Sequence, residues 1–273
     1  MILSSRFFRE TAAVLSLLIL LGACASQPVT APPAAAAQAT RHAVAAQRAM
    51  QVGAWQDAAA QWQEALLASA AIDDWAGQGE ARLGLANAQV ELGQRDLAKQ
   101  SVASMPAQTL YLTSQRARAA YQLALLALPD APAATQQLQL AQQLCAVPCA
   151  QQPWFDNLRA RIALLNLDAP AAAALAQRVA TQDGVPDSER AHAWRILAQA
   201  RLQQQQGTAA MTALQTALVI DRKLAVPAWL ADDFALQVQI GQQTGQSEWA
   251  AEGQTRLASL CAAVRVPACA DNH

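Results

Sequence analysis

Gly53-Ala54-Trp55-Gln56-Asp57-Ala58, running on through Trp62 to Ala65 and Leu66, decides the architecture of this 273-residue chain. After the glycine comes an aromatic two residues on, an alanine five on, a large residue nine on and another alanine twelve on. Apolar positions separated by three or four residues have the helix period. A glycine at the head lets the chain reverse. Small alanines let two crossing helices approach closely, and Trp62 fills the space toward whatever packs next. The stretch therefore predicts the second helix of an antiparallel helical hairpin.

The pattern recurs. Gly93 is followed by Ala98, Val102 and Met105-Pro106 and preceded by Leu85-Ala86. Gly207 is followed by Ala210, Leu214 and Ala217, shifted by two residues, and Gly245 by Ala250 and Leu257. In the middle of the chain the turns fall at Leu128-Pro129-Asp130-Ala131-Pro132 and Leu167-Asp168-Ala169-Pro170, with no glycine; proline at a helix start accounts for both. Pro186-Asp187-Ser188-Glu189 opens a further helix, its acids in the first turn where the helix dipole favours them. These residues resemble the tetratricopeptide repeat, although Gly53 to Gly93 spans 40 residues and Gly207 to Gly245 spans 38, where that family repeats at 34. The resemblance implies an all-α chain, an α-solenoid of about six antiparallel hairpins over residues 39–265. A plain helical bundle is the competing architecture.

Composition agrees with helices. Hydrophobic residues make up 53% of the chain and charged residues 14%; alanine supplies much of the first group, and glutamine replaces charge as the polar residue. Both are good helix formers. The formal net charge of −1 argues against nucleic acid as a partner, since phosphates demand a basic face. Trp55 and Trp62 occupy packing positions of the first hairpin. Trp75, Trp154, Trp194 and Trp229 stand in first helices, where packing between hairpins is expected of them.

Upstream, Arg6 and Arg9 precede an uncharged stretch from Thr11 to Leu21, too short to span a bilayer, and then Leu21-Gly22-Ala23-Cys24. The last four residues resemble the lipobox of bacterial lipoproteins. That resemblance implies a signal peptide over 1–23 and Cys24 as an N-terminus carrying acyl chains such as palmitate. With Ala25 next rather than Asp, it also implies retention at the periplasmic face of the outer membrane. Residues 24–38, rich in Ala and Pro, read as a tether, and 39–273 as the repeat domain. No second segment is long and apolar enough to cross a membrane, so lipid contact is expected through the anchor alone. Cys145 and Cys149, and Cys261 and Cys269, form two local pairs, each with a proline between. In an oxidising compartment two disulfides are expected, local pairing being favoured without being fixed. A four-cysteine zinc site is the rival, with separations unlike CxxC pairs.

Nothing signals catalysis. His42, His192 and His273 sit in no nucleophile pattern. Gly77-Gln78-Gly79 with Gly84 has the wrong spacing for a dinucleotide loop. The acidic pairs Asp73-Asp74 and Asp232-Asp233 lie near helix starts, where capping and the dipole would explain them. The expectation is a non-enzyme without cofactor or metal. In the tetratricopeptide family the first helices line a concave groove that holds an extended peptide or a partner helix. Aligned on the turn glycines, the resemblance places Gln47, Met50 and Gln51 on that face in the first hairpin. Leu83, Asn87, Val90 and Glu91 follow in the second, Arg201 and Gln204 in the fifth, and Gln239 and Gln243 in the last. Asn87 falls where many members clamp a peptide backbone. The expected function is an adaptor for an envelope protein or peptide segment, in cell-wall synthesis, outer-membrane assembly, or a pilus or secretion machine. A murein enzyme or its helical accessory domain is the alternative, and a small-molecule carrier the third reading.

Overall fold

The computed structural model describes residues 33–264, 266, 268 and 269. Twelve helices lie among them, paired in chain order: α1 (Ala34–Gln51) with α2 (Trp55–Ala71), α3 (Trp75–Glu91) with α4 (Arg95–Val102), α5 (Thr113–Ala127) with α6 (Ala131–Leu144), α7 (Gln152–Leu165) with α8 (Ala169–Thr181), α9 (Asp187–Gln203) with α10 (Gly207–Leu224), and α11 (Pro227–Gln243) with α12 (Ser247–Ala263). Helix α1 starts inside the stretch read as tether, because Ala34–Ala37 continue the helix-forming run, so the repeat region begins before residue 39. The signal peptide and Cys24 lie outside the described residues.

A three-residue turn joins the helices of five hairpins, its middle residue left-handed: Gly53, Gly93, Leu167, Gln205 and Gly245. The residue after it donates its amide back across the helix end. Ala54 bonds Ala49, Gln94 bonds Gln89, Asp168 bonds Ala163, Gln206 bonds Arg201 and Gln246 bonds Gly241, all at 2.8 to 2.9 Å. This closure satisfies carbonyls that the last helical turn leaves open. Gly207 is therefore not a turn residue but the first residue of α10, and the turn residue is Gln205. That explains the two-residue shift: counted from Gln205, Ala210, Leu214 and Ala217 stand five, nine and twelve on, the same offsets as in the first hairpin.

Counted in this way, every hairpin places an alanine five residues after the turn position, at Ala58, Ala98, Ala134, Ala172, Ala210 and Ala250, with Pro129 taking the turn position in the third. All six are buried. A methyl group at each crossing brings the paired helices close enough for the backbone itself to contribute packing. Larger side chains nine on (Trp62, Val102, Leu138, Leu214) fill the space between hairpins, and all four are buried. Several alanine-rich cores thus run in series along the array, as expected where each repeat contacts its neighbours. In the structure Cys145 is bonded to Cys149 and Cys261 to Cys269, each pair tying the end of a second helix to the segment after it.

First helices of neighbouring hairpins approach one another along the array, α1 with α3, α3 with α5, α7 with α9 and α9 with α11, whereas neighbouring second helices make no comparable approach. The array curves toward its first helices, which makes theirs the concave face.

A glutamine-lined groove on the first helices

Six residues before the turn position, each first helix presents one side chain to the concave face. The series runs Gln47, Asn87, then Gln122 on α5 one residue out of step, Arg161, Gln199 and Gln239. Two residues before the turn stand Gln51, Glu91, Leu165, Gln203 and Gln243. At the C-terminal ends of α5, α7, α9 and α11 these positions line a groove of about 790 Å³. It is walled by Leu125, Leu128, Pro129 and Leu164 and floored by Arg161, Gln199, Gln203, Gln239 and Gln243, with Arg95 at its edge. An amide both donates and accepts, so a row of glutamines can satisfy either group of a passing backbone.

Of the residues expected there, Gln239 and Gln243 line this groove. Gln47, Gln51, Val90 and Glu91 are exposed toward the N-terminal end of the same face. Asn87 is exposed too, its Oδ1 accepting from Gln122 Nε2 at 2.6 Å, so a ligand reaching it would displace a side chain already in place. Three expectations are corrected. Leu83 is fully buried in the core with Ala98, Val102 and Tyr111: four residues before Asn87 it lies on nearly the same helix face, rotated by about 40°, and there Ala119 and Leu123 of α5 pack over it. Met50 is half-buried and packs against the core around Trp62. Arg201 and Gln204 belong to the α9 terminus, where Arg201 donates to Gln204 at 3.3 Å and to Gln206 at 2.8 Å. Alignment on Gly207 put them in the groove; alignment on Gln205 replaces them with Gln199 and Leu202, both in the groove lining.

Cationic groups meet at this face. Arg95 donates to the carbonyls of Leu126 and Leu128 at 3.0 and 3.1 Å, capping the end of α5. Arg161 is exposed and makes no ion pair or hydrogen bond with any described residue; partial desolvation by the groove walls lowers its pKa, Tyr121 and Asp232 oppose the shift, and the charges of Arg195 and Arg95 add to it. Deeper along α9, Arg195 lies between the carboxylates of Asp221 and Asp233, both fully buried, and also donates to the Trp229 carbonyl at 3.1 Å. The pair Asp232-Asp233 is thus not a helix cap: Asp233 is the buried partner of Arg195, while Asp232 is exposed and 4.0 Å from it. Asp74 does cap α3, accepting from the Gly77 amide at 2.9 Å, and Asp73 accepts from Trp75 Nε1.

Removal from water pushes Asp233 up to about 7, Asp221 repelling its charge and Arg195 opposing the shift; Asp221 is raised by burial as well. One oxygen of each carboxylate has no partner among the described residues, so two buried acids depend on one guanidinium and protonation of one of them is favoured. His192, also on α9, is held down at about 3 by burial first and then by Arg195 and Arg161. Arg195 Nη1 donates to its Nδ1 at 3.2 Å, which places the ring proton on Nε2, and its ring meets Trp229 edge-on at 4.7 Å. Tyr121 is raised by burial and by the charge of Glu189. Glu189 is itself raised by burial, although Asn157 Nδ2 donates to it at 2.9 Å. Trp75, Trp154 and Trp194 pack against cores. Sequence reasoning missed Arg161, Arg195 and Asp221; a charged residue in so uncharged a chain was the available signal.

No family model and no curated protein matches the chain. Solved structures do. A kinesin light chain with nearly identical TPR-like repeats from Podosopora anserina superposes with a TM-score of 0.52 at 17% identity, covering 71% of this chain and 99% of that one. BtubC (BKLC) from P. vanneervenii gives 0.53 at 16% identity, covering 85% and 92%. At such identities the likeness establishes the fold, a tetratricopeptide-like α-solenoid.

Proposed function

We propose that this α-solenoid is a non-enzymatic adaptor that holds a segment of another protein along its first helices. In this reading it works from a lipid anchor at Cys24, on the periplasmic face of the outer membrane, where it positions an envelope protein for cell-wall synthesis, outer-membrane assembly, or a pilus or secretion machine. The observation that carries the binding reading is the register of Gln199, Gln203, Gln239 and Gln243, which repeat at the same two positions before successive turns and floor a groove of about 790 Å³. Core packing does not require amides there. The Leu21-Gly22-Ala23-Cys24 motif and the two local cysteine pairs support the address.

A photo-activatable residue at Gln239, in the acylated chain in intact cells, should capture one dominant envelope protein. The same residue at Gln215, exposed on the second helix α10, should not. Equal capture from both faces would remove the groove from the proposal. Cys24→Ser should abolish palmitate incorporation and release the chain from the membrane fraction; a variant that stays membrane-bound would remove the anchor.

A further inference from the structure

The groove is built for a charged guest rather than a neutral one. Its lining contains two arginines and no Asp or Glu. Arg95 is held by carbonyls rather than by a carboxylate, and Arg161 has no partner among the described residues. The acids on the same face stand outside the lining: Glu91 lies toward the N-terminal end, Glu189 accepts from Asn157, and Asp232, beside Arg195, acts on Arg161 without forming an ion pair. Two guanidiniums, with no carboxylate in the lining to balance them, therefore share the trough with a row of neutral amides. Like charges held together in this way raise the free energy of the empty groove, and an anion seated between them lowers it.

A second observation comes from the turn beside the groove. Leu167 occupies the left-handed position, where three of the other hairpins use glycine, with φ of 60° and 81% exposure. A leucine there accepts a backbone cost on the order of 1–2 kcal/mol and buries nothing in return. Leu165, on the groove wall, is 46% exposed. Strain combined with exposed apolar surface is unfavourable to the fold and suits a contact made only on binding.

We propose that the segment bound in this groove is acidic and apolar: an extended stretch whose carboxylate seats between Arg161 and Arg95, whose backbone runs along the glutamine row, and whose neighbouring side chains cover Leu165 and Leu167. The proposal rests on the groove being the partner-binding face. Arg161 then selects the partner, while the glutamines accept any extended backbone.

Selection of a random dodecapeptide display library on the purified chain tests both levels. The expected result is enrichment of peptides that carry Asp or Glu beside an apolar residue. Their affinity should fall roughly tenfold in Arg161→Gln, recover in part in Arg161→Lys, and weaken between 50 and 300 mM salt. Arg161 supports no described contact, so Arg161→Lys should melt with the parent chain and Arg161→Gln with it or slightly above it. Enriched peptides without acidic bias, lost in a Gln199→Ala/Gln239→Ala variant, would overturn the acidic partner and keep the groove. Peptides indifferent to every groove substitution would overturn both.

Discussion

Between the first and second hairpins the contact is a ring in a slot: the Trp62 indole, only 6% exposed, lies against α3 where Gly84 leaves room for it, so that a methyl group at Gly84 would fall on the indole. Alanines 46, 58, 65, 81 and 88 and Leu85 surround it. Between the fifth and sixth hairpins the contact is a guanidinium between two fully buried carboxylates, joining α9, α10 and α11. Both junctions sit in alanine-rich surroundings whose side chains are too small to fix an angle between hairpins by themselves. One obtains specificity from shape and the other from charge. The first should therefore be indifferent to pH and sensitive to volume, whereas the second carries titrating groups whose opposed responses can be separated by substitution.

The sharpest break is Arg195→Met. It removes the cation and leaves two buried carboxylates facing each other, a loss of about 4 kcal/mol. Repeat arrays come apart locally, so the loss should register as rapid amide exchange confined to α9–α12 while α1–α4 stay protected. Adding Asp221→Leu and Asp233→Leu should restore most of the stability, since a well-packed apolar replacement of a buried ion cluster is often neutral. Failure of the triple variant to recover would mean that the cluster acts through its shape as well.

Trp62→Ala is the counterpart at the other end. It empties the slot opposite Gly84 at a cost of about 3 kcal/mol. Exchange should rise in α1–α4, by the same amount at pH 5 and pH 8. A clear pH dependence there would end the contrast between the junctions.

The two junctions also differ in how legible they are. Trp62 and the alanines declare themselves, because a fixed offset from a turn glycine is a one-dimensional signal. The number of hairpins could be read the same way, even where Pro129 and Leu167 replace glycine, since helix starts carry proline. What failed was register. Gly207 is a glycine of the right kind two residues late, and aligning on it moved the groove of the fifth hairpin from Gln199 and Leu202 to Arg201 and Gln204. Asp232-Asp233 failed for another reason: a helix start explains an acid locally, and nothing local reveals that Arg195 waits 38 residues upstream. Leu83 lies four residues before Asn87, a rotation of only about 40°, so whether it faces groove or core is finer than turn-based alignment resolves.

The charged junction should hide its own pH dependence. Asp233 is raised to about 7 from an ordinary 3.8, so its contribution is present below the unfolded pKa and lost as pH rises toward 7. Asp221, Asp232 and Glu189, also raised by burial, act in the same direction. His192 is depressed from 6.5 to about 3 and opposes them: in acid the unfolded chain takes up a proton that the folded chain refuses, so stability falls as pH drops below 6.5. Between about pH 4.5 and 6.5 the two tendencies offset. Each can be unmasked. In His192→Gln, stability should fall by roughly 2 kcal/mol from pH 4.5 to 7, and in Asp233→Asn it should fall by a similar amount from pH 6.5 to 4.5. Parallel curves for the two variants would refute the opposition.

The smallest effect belongs to the turns, and it separates folding from binding. Gln205 and Leu167 both hold a left-handed backbone that costs a non-glycine residue on the order of 1–2 kcal/mol, against the 0.5–1 kcal/mol of extra entropy a glycine loses on folding. Replacing either with glycine should therefore raise stability by about 0.5 kcal/mol. Neither residue is in the groove lining, but only Leu167 offers exposed apolar surface beside it, so Gln205→Gly should stabilise α9–α10 and leave peptide affinity unchanged. Leu167→Gly should stabilise to the same extent and lose affinity for the acidic peptides, because its leucine covers part of the guest. Melting curves and binding isotherms of the two variants measured side by side would show it: equal gains in stability with unequal losses in binding mean that the strain at Leu167 is retained for contact. Equal affinities would make Leu167 a tolerated misfit like Gln205.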